Sequence, residues 1–352
     1  MTELTAPPPA PTEAPGPPDG SPNGLADVLA ANRAIAAIPH LDRLLEGHGR
    51  IVVGWGRKRS GRVAERLAAR TGRRLLLLED GFLRCDLRRA PPQSLLLDGI
   101  GVHYDATRPS RMEQVIAAPP GAAEAARALA IARLWAASGV SKYNHAPDFG
   151  GELPAHYVLV ADQTAGDPAI RLGLADRARF ETMLEAALGD YPGHTVLLKT
   201  HPDVFSHGKH RNFTPRLLSH PRIRVIDREC HPARLLDQAD AVYVVTSLIG
   251  FEALLRGKPV RCFGMPFYAG WGVTTDYLPR PDRRGTAGLA QIVHAALVDR
   301  ARYIDPASGT PTSVETSIAR IGAWRRSGGH LAATANVPPR GLLKRLGGWW
   351  AR

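Results

Sequence analysis

Cysteine is scarce: Cys85, Cys230 and Cys262 are the only three in 352 residues, and no two of them form a Cys-x-x-Cys pair. That scarcity argues against a disulfide scaffold and against a cysteine-ligated structural zinc site, and it fits a reducing compartment. No apolar run approaches the roughly eighteen residues that a spanning helix needs, and the first residues lack the basic-then-apolar layout of an export signal. The expected location is therefore cytoplasmic. Large apolar residues are scarce in residues 1–24, which hold eight of the thirty prolines and only Glu3, Glu13 and Asp19 as charged side chains. Such a segment cannot offset its ordering entropy and reads as a disordered leader. Acids are missing at the other end, where none follows Glu315, while Arg320, Arg325, Arg326, Arg340, Lys344, Arg345 and Arg352 do.

The net charge of +12 would ordinarily raise nucleic acid as a partner. The cations are spread or gathered in the tail, with no recognised binding motif and no aromatic platform, so no nucleic acid is expected. Residues 316–352 read as a basic tail whose last stretch sets Trp349 and Trp350 beside Lys344, Arg345 and Arg352. That combination suits an anionic membrane surface, with a solvated tail as the plain alternative, and makes the protein peripheral on the inner face of the cytoplasmic membrane.

The length predicts two domains and a cleft between them. A strand at 51–55, a glycine turn, a helix near 63–70 and a second strand at 74–78 make a βαβ unit, and an Ala-rich helix follows at 122–137. Proline and glycine between Lys142 and Pro154 mark the boundary. The same alternation restarts with strands at 157–161, 195–199, 223–226, 241–245 and 259–263. The expected fold is α/β, with two Rossmann-like domains, 25–150 on the acceptor side and 151–315 on the donor side, facing a cleft in the GT-B manner.

Four strand exits carry the candidate chemistry. Thr246 and Ser247 open a helix directly after a buried strand, where free N–H groups and the dipole favour a phosphate, and Glu252 one turn later is placed to meet a ribose hydroxyl. An ordinary N-cap explains Ser247 but leaves Glu252 in an apolar stretch unexplained. Lys199 and His201, the latter followed by Pro202, end another strand and suit a monophosphate. Glu79 and Asp80 end a fully apolar strand; two adjacent carboxylates raise each other's pKa unless Arg84 or a ligand compensates, which prepares an acid or base, though Asp-Gly is also a turn signal. Asp162 and Asp167 lie in the first loop of the second domain, and either suits a nucleophile at an anomeric carbon while the other holds the loop.

Together, Glu79-Asp80-Gly81, His201-Pro202 and Thr246-Ser247 resemble the short motifs of bacterial sialyltransferase-like GT-B enzymes that use CMP-sugars. More closely, GWGRKRSG at 54–61, LEDGFLR at 78–84, GIGVHYDAT at 99–107, VADQTAGDPAI at 160–170, KTHPDV at 199–204, TSLIGFEALLRGKPV at 246–260 and FYAGWGVTTD at 267–276 resemble the capsule polysaccharide β-Kdo transferases. The resemblance covers residues 50–310 or so and implies retaining transfer of β-Kdo from CMP-β-Kdo to a Kdo-bearing lysophosphatidylglycerol acceptor for capsule export. It implies that Lys199, His201, Thr246 and Ser247 hold CMP, that Glu79 and Asp80 serve acid/base or acceptor roles, and that Asp162 or Asp167 is the nucleophile. A second capsule Kdo transferase and the export complex are the further partners it suggests. The enzyme of this group commonly carries two modules in tandem, and this sequence holds one. No cofactor or metal is expected: a CMP-sugar leaves with one phosphate, whose charge Lys and His meet without Mg2+. The rival enzyme is a sugar-nucleotide epimerase or a GT-B transferase with a UDP donor, whose diphosphate calls for more cations beside the helix start than Lys199 and Lys258 offer.

Overall fold

The computed structural model describes residues 27–84, 92–200, 212–213 and 215–329. His201, Pro202, the leader at 1–24 and the Trp-bearing end of the tail lie outside the described residues.

The chain begins with β1 (Val28–Ala30), α1 (Arg33–Ala36), α2 (Leu41–Leu44), β2 (Ile51–Trp55), α3 (Arg59–Thr71), β3 (Arg74–Asp80) and β4 (Ser94–Asp98), followed by α4 (Arg111–Ala117) and α5 (Ala122–Ser138). It then builds β5 (Tyr157–Ala161), α6 (Pro168–Leu172), α7 (Ala178–Asp190), β6 (Thr195–Lys199), α8 (Pro215–Leu218), β7 (Ile223–Ile226), α9 (Ala233–Gln238), β8 (Ala241–Val244), α10 (Leu248–Leu254), β9 (Val260–Cys262) and β10 (Thr275–Asp276). It closes with α11 (Leu289–Val293), a π-helical turn at His294–Asp299, β11 (Ala301–Ile304), β12 (Pro311–Thr312) and α12 (Val314–Arg326).

Two six-stranded sheets result, giving the expected GT-B arrangement. The second runs β10-β9-β8-β5-β6-β7 and is parallel throughout, with every residue of β5 and β8 buried, as expected of strands covered on both faces. The first runs β1-β2-β3-β4-β11-β12; only β1 to β3 are parallel, and β4, β11 and β12 run antiparallel to their neighbours. Glycine lets β2 and α3 meet: a Cβ on Gly54 would lie 2.6 Å from Ala64 Cβ and 2.7 Å from Ser60 O. The βαβ unit read at 51–78 depends on that contact.

Two of the expected boundaries are corrected. The sequence places residues 301–312 in the donor domain, but β11 pairs with β4 and completes the first sheet. The sequence places residues 316–326 in a basic tail, but they belong to α12, which buries Val314, Ile318 and Ile321. The physical reason is that a strand as short as Ala301–Ile304 gains its hydrogen bonds only from β4, and α12 can bury its apolar stripe only against the lobe to which β11 returns it. Arg320 and Arg325 are thereby structural: Arg320 donates to Gln93, and Arg325 donates to Asn144 O and Asp148 Oδ1.

Candidate active site

The carboxyl ends of β3, β5, β6 and β8 converge on one cavity of about 880 Å3. Its size is that of a small-molecule binding site. Glu79, Asp80, Asp162, Asp167, Lys199, Thr246, Ser247 and Glu252 all line it. Eight of the ten residues singled out from sequence therefore come together, and the other two, His201 and Pro202, are outside the described residues.

On the first wall, Glu79 accepts hydrogen bonds from Tyr104 Oη at 2.8 Å and Trp55 Nε1 at 3.1 Å. Burial outweighs those donors and, with Asp80 adding repulsion, raises its pKa to about 7. Asp80 is held by Arg84, Nε to Oδ2 2.9 Å. Gly56, at φ +32°, brings the backbone over this carboxylate; a Cβ there would collide with Glu79 Oε1 and lie 2.6 Å from Tyr104 Oη. His103 packs edge-on against Phe82 with ring centroids 5.0 Å apart, and burial, then Lys142, pushes its pKa down to about 3, so it stays neutral.

On the second wall, Asp162 Oδ1 accepts from Gln163 N at 2.8 Å and from Asn212 Nδ2 at 2.9 Å. Asp167 Oδ1 instead caps α6, accepting from Ala169 N at 2.9 Å with Pro168 at the first helical position. Gln163 ties Thr246 in place, its Oε1 accepting from Thr246 N at 2.8 Å. Ser247 is the N-cap of α10. Lys199 is buried, and that burial depresses its ammonium below the usual lysine range against the pull of Cys230, Glu229 and Glu252.

Glu252 sits where the lobes meet. Its Oε1 accepts from Ser141 Oγ at 2.7 Å and Lys142 N at 3.0 Å, while Oε2 is buried without a hydrogen-bond partner among the described residues. Thr200 Oγ1 is in the same condition. Both residues line the cavity, so both oxygens are placed to meet a ligand.

The sequence of this protein matches the family described as capsule polysaccharide biosynthesis protein over residues 50–134 and 134–303. The chain belongs to that family. Within it, the chain is 38% identical over 343 residues to the capsule polysaccharide modification protein LipA of Neisseria meningitidis serogroup B, a match covering 89% of this chain and 48% of LipA. It is 34% identical to the lipopolysaccharide-processing protein LpsZ of Rhizobium meliloti, over 73% of this chain and 60% of LpsZ. The chain thus spans about half to three-fifths of the length of these relatives. Among solved structures, the Thermosulfurimonas dismutans KpsC β-Kdo 2,4-transferase superposes with a TM-score of 0.75 at 36% identity, over 84% of this chain and 97% of that one. The KpsC β-Kdo 2,7-transferase from the same organism gives 0.60 at 28% identity, over 78% and 85%.

Several cavity residues carry no signal of their own in the sequence, Lys142, His145 and Glu229 among them. Lys142 lies in the stretch read only as a domain boundary, yet it lines the cavity. Burial works against its charge, but Tyr143, Asp80 and Glu79 hold its ammonium above the usual lysine range. A boundary between two lobes that share a cleft must cross that cleft, and this was the signal available. The titratable residues between 98 and 105 divide: His103 and Tyr104 reach the cavity, whereas Asp98 accepts N–H groups from Ile100, Gly101, Arg111 and Met112, and Asp105 pairs with Arg57.

Proposed function

We propose that this protein is a retaining glycosyltransferase that moves β-Kdo from CMP-β-Kdo to a Kdo-bearing lysophosphatidylglycerol-type glycolipid in capsule polysaccharide biosynthesis and export. The observation that carries the reading is the match to 97% of a β-Kdo 2,4-transferase chain, with the acid/base and anion-binding side chains gathered in one cavity. The higher identity and TM-score to the 2,4-transferase than to the 2,7-transferase support a 2,4 bond in the product.

Lys199, Thr246 and Ser247 face the donor phosphate, His201 is assigned to it by its sequence motif alone, and a ribose hydroxyl donates to Glu252 Oε2. Asp162 attacks the anomeric carbon as the bond to the CMP phosphate breaks, and CMP leaves with the electron pair. Asp167 is the weaker candidate because its carboxylate already caps α6. The acceptor hydroxyl then displaces Asp162 while Glu79 takes its proton, so two inversions leave the β configuration unchanged. Lys142 holds Asp80 and Glu79 on the acceptor side. The tail beyond residue 340 rests on the anionic inner surface of the membrane, where the acceptor lipid lies.

The test is incubation with CMP-Kdo and a synthetic Kdo-terminated glycolipid, reading CMP release, product linkage and intact mass. The expected result is a Kdo-extended product with a 2,4 bond, and a Kdo-sized adduct that Asp162→Asn abolishes and Asp167→Asn retains. No CMP release above background with any lipid-linked Kdo acceptor sinks the transferase reading; an adduct lost only in Asp167→Asn reassigns the nucleophile.

A further inference from the structure

The second sheet has a polar corner at the end remote from the cavity. Three of its strands lie side by side in the order β8-β5-β6, and the residue preceding each is Asp240, His156 and His194 respectively. Their ligand atoms, one carboxylate oxygen and one nitrogen from each ring, all fall within 4.8 Å of one another. Asp240 Oδ2 stands 3.2 Å from His194 Nε2 and 3.8 Å from His156 Nδ1. Donors about 2 Å from a tetrahedral ion stand about 3.3 Å apart, so the two spacings to Asp240 are close to those of such a site, and the third lies within 4.8 Å.

The backbone holds these residues in place. Thr195 N donates to His156 O at 3.2 Å, and Asp240 N donates to Tyr157 O at 3.0 Å, so the sheet ladder fixes where each side chain starts. Tyr157 N donates to Asp240 Oδ2 at 3.2 Å, and the His194 ring packs edge-on against Tyr191 with centroids 5.0 Å apart. Fixing of ligands from behind in this way is what tunes a metal site. The His156 side chain is 73% exposed, which leaves an entry path and room for water in the fourth position.

We propose that His156, His194 and Asp240 form a site for a divalent cation of the zinc class, outside the cleft, that ties β8, β5 and β6 together at their amino ends. Two imidazoles and one carboxylate favour Zn2+, and by affinity order Ni2+ and Cu2+, over the all-oxygen preference of Mg2+ and Ca2+. The ion stabilises the donor lobe, because the three ligands are brought together only by the folded sheet. The inference stands independently of the reaction in the cleft. Sequence reading found no such site because the ligands are far apart in the chain and join only through strand order.

The full-length protein, stripped with EDTA and dialysed, is titrated with ZnCl2 calorimetrically and with CoCl2 spectroscopically, with Tm recorded in each state. Expected are one equivalent of zinc, a raised Tm, and the ligand-field absorption of four-coordinate cobalt. His156→Ala and His194→Ala each keep the metal-free Tm and weaken zinc binding by at least about tenfold. No zinc uptake by the unsubstituted chain overturns the proposal and leaves hydrogen-bonded His–Asp pairs only. Uptake and Tm shift unchanged in the His156→Ala/His194→Ala double variant also overturn it, placing the metal elsewhere among the thirteen histidines.

Discussion

Glu79 shows how much chemistry one strand exit can concentrate. Its carboxyl is pushed to about 7 by burial first, against the Tyr104 hydrogen bond, and then by Asp80. In the unfolded chain the same group ionises near the usual carboxylate value, so the folded protein holds the proton more tightly, and its ionisation disfavours the fold as pH climbs towards about 7. In catalysis the sign is opposite. A base must be ionised to accept the acceptor's proton, so kcat/KM for Kdo transfer is expected to rise through about pH 7 and level off above it. Glu79→Gln is expected to lower kcat about 10²–10⁴-fold and to remove that inflection. A Gln variant that keeps the wild-type pH profile would assign the inflection to another group. Gly56 belongs to the same small machine, since no other residue leaves the space that Glu79 and Tyr104 occupy.

Among the elements, α4 carries the contact that binds its lobe to the loops of the other. Ser110 caps it and its own Glu113 completes the capping box, with Ser110 N donating to Glu113 Oε2 at 3.2 Å. The same carboxylate accepts from Arg283 Nε and Arg284 Nε, both at 2.8 Å, and Arg284 also donates to Pro266 O and Ala269 O. Arg284 is only 1% exposed. Glu113→Ala would strand a buried guanidinium, so denaturant unfolding is expected to show a loss of about 3–5 kcal/mol. A loss under about 1 kcal/mol would mean that the bonds from Arg284 to Pro266 O and Ala269 O suffice. Elements like β2, β3, β5, β6 and β8 were legible because each is a compact apolar run closed by glycine or by polar residues. β1 and β12 were not, being three and two residues long and defined only by a neighbour's hydrogen bonds. The cleft residues were legible wherever a polar pair interrupts an apolar strand, as at Glu79-Asp80 and Thr246-Ser247. Lys142, a lone lysine among prolines and glycines, carries no such contrast; only the crossing between lobes gives it a role.

For the whole molecule, the basic excess has been divided by the fold. Arg283, Arg284, Arg320 and Arg325 spend their charge on Glu113, Gln93, Asp148 and backbone carbonyls inside the protein. Arg340, Lys344, Arg345 and Arg352 remain for the proposed membrane contact. Removing residues 340–352 is therefore expected to reduce co-sedimentation with anionic liposomes while CMP release in a detergent-soluble acceptor assay is kept; unchanged sedimentation would sink the anchor. Among the described residues no single helix is long and apolar enough to cross a membrane. The return of the chain to its first sheet also sets an order of birth on the ribosome. The six strands of the second sheet are contiguous in sequence and can close on themselves as they emerge, whereas β4 keeps a bare edge until Ala301–Ile304 has left the exit tunnel. The lobe begun first is thus the one finished last, and the nascent chain needs its edge shielded for the time taken to make the other lobe.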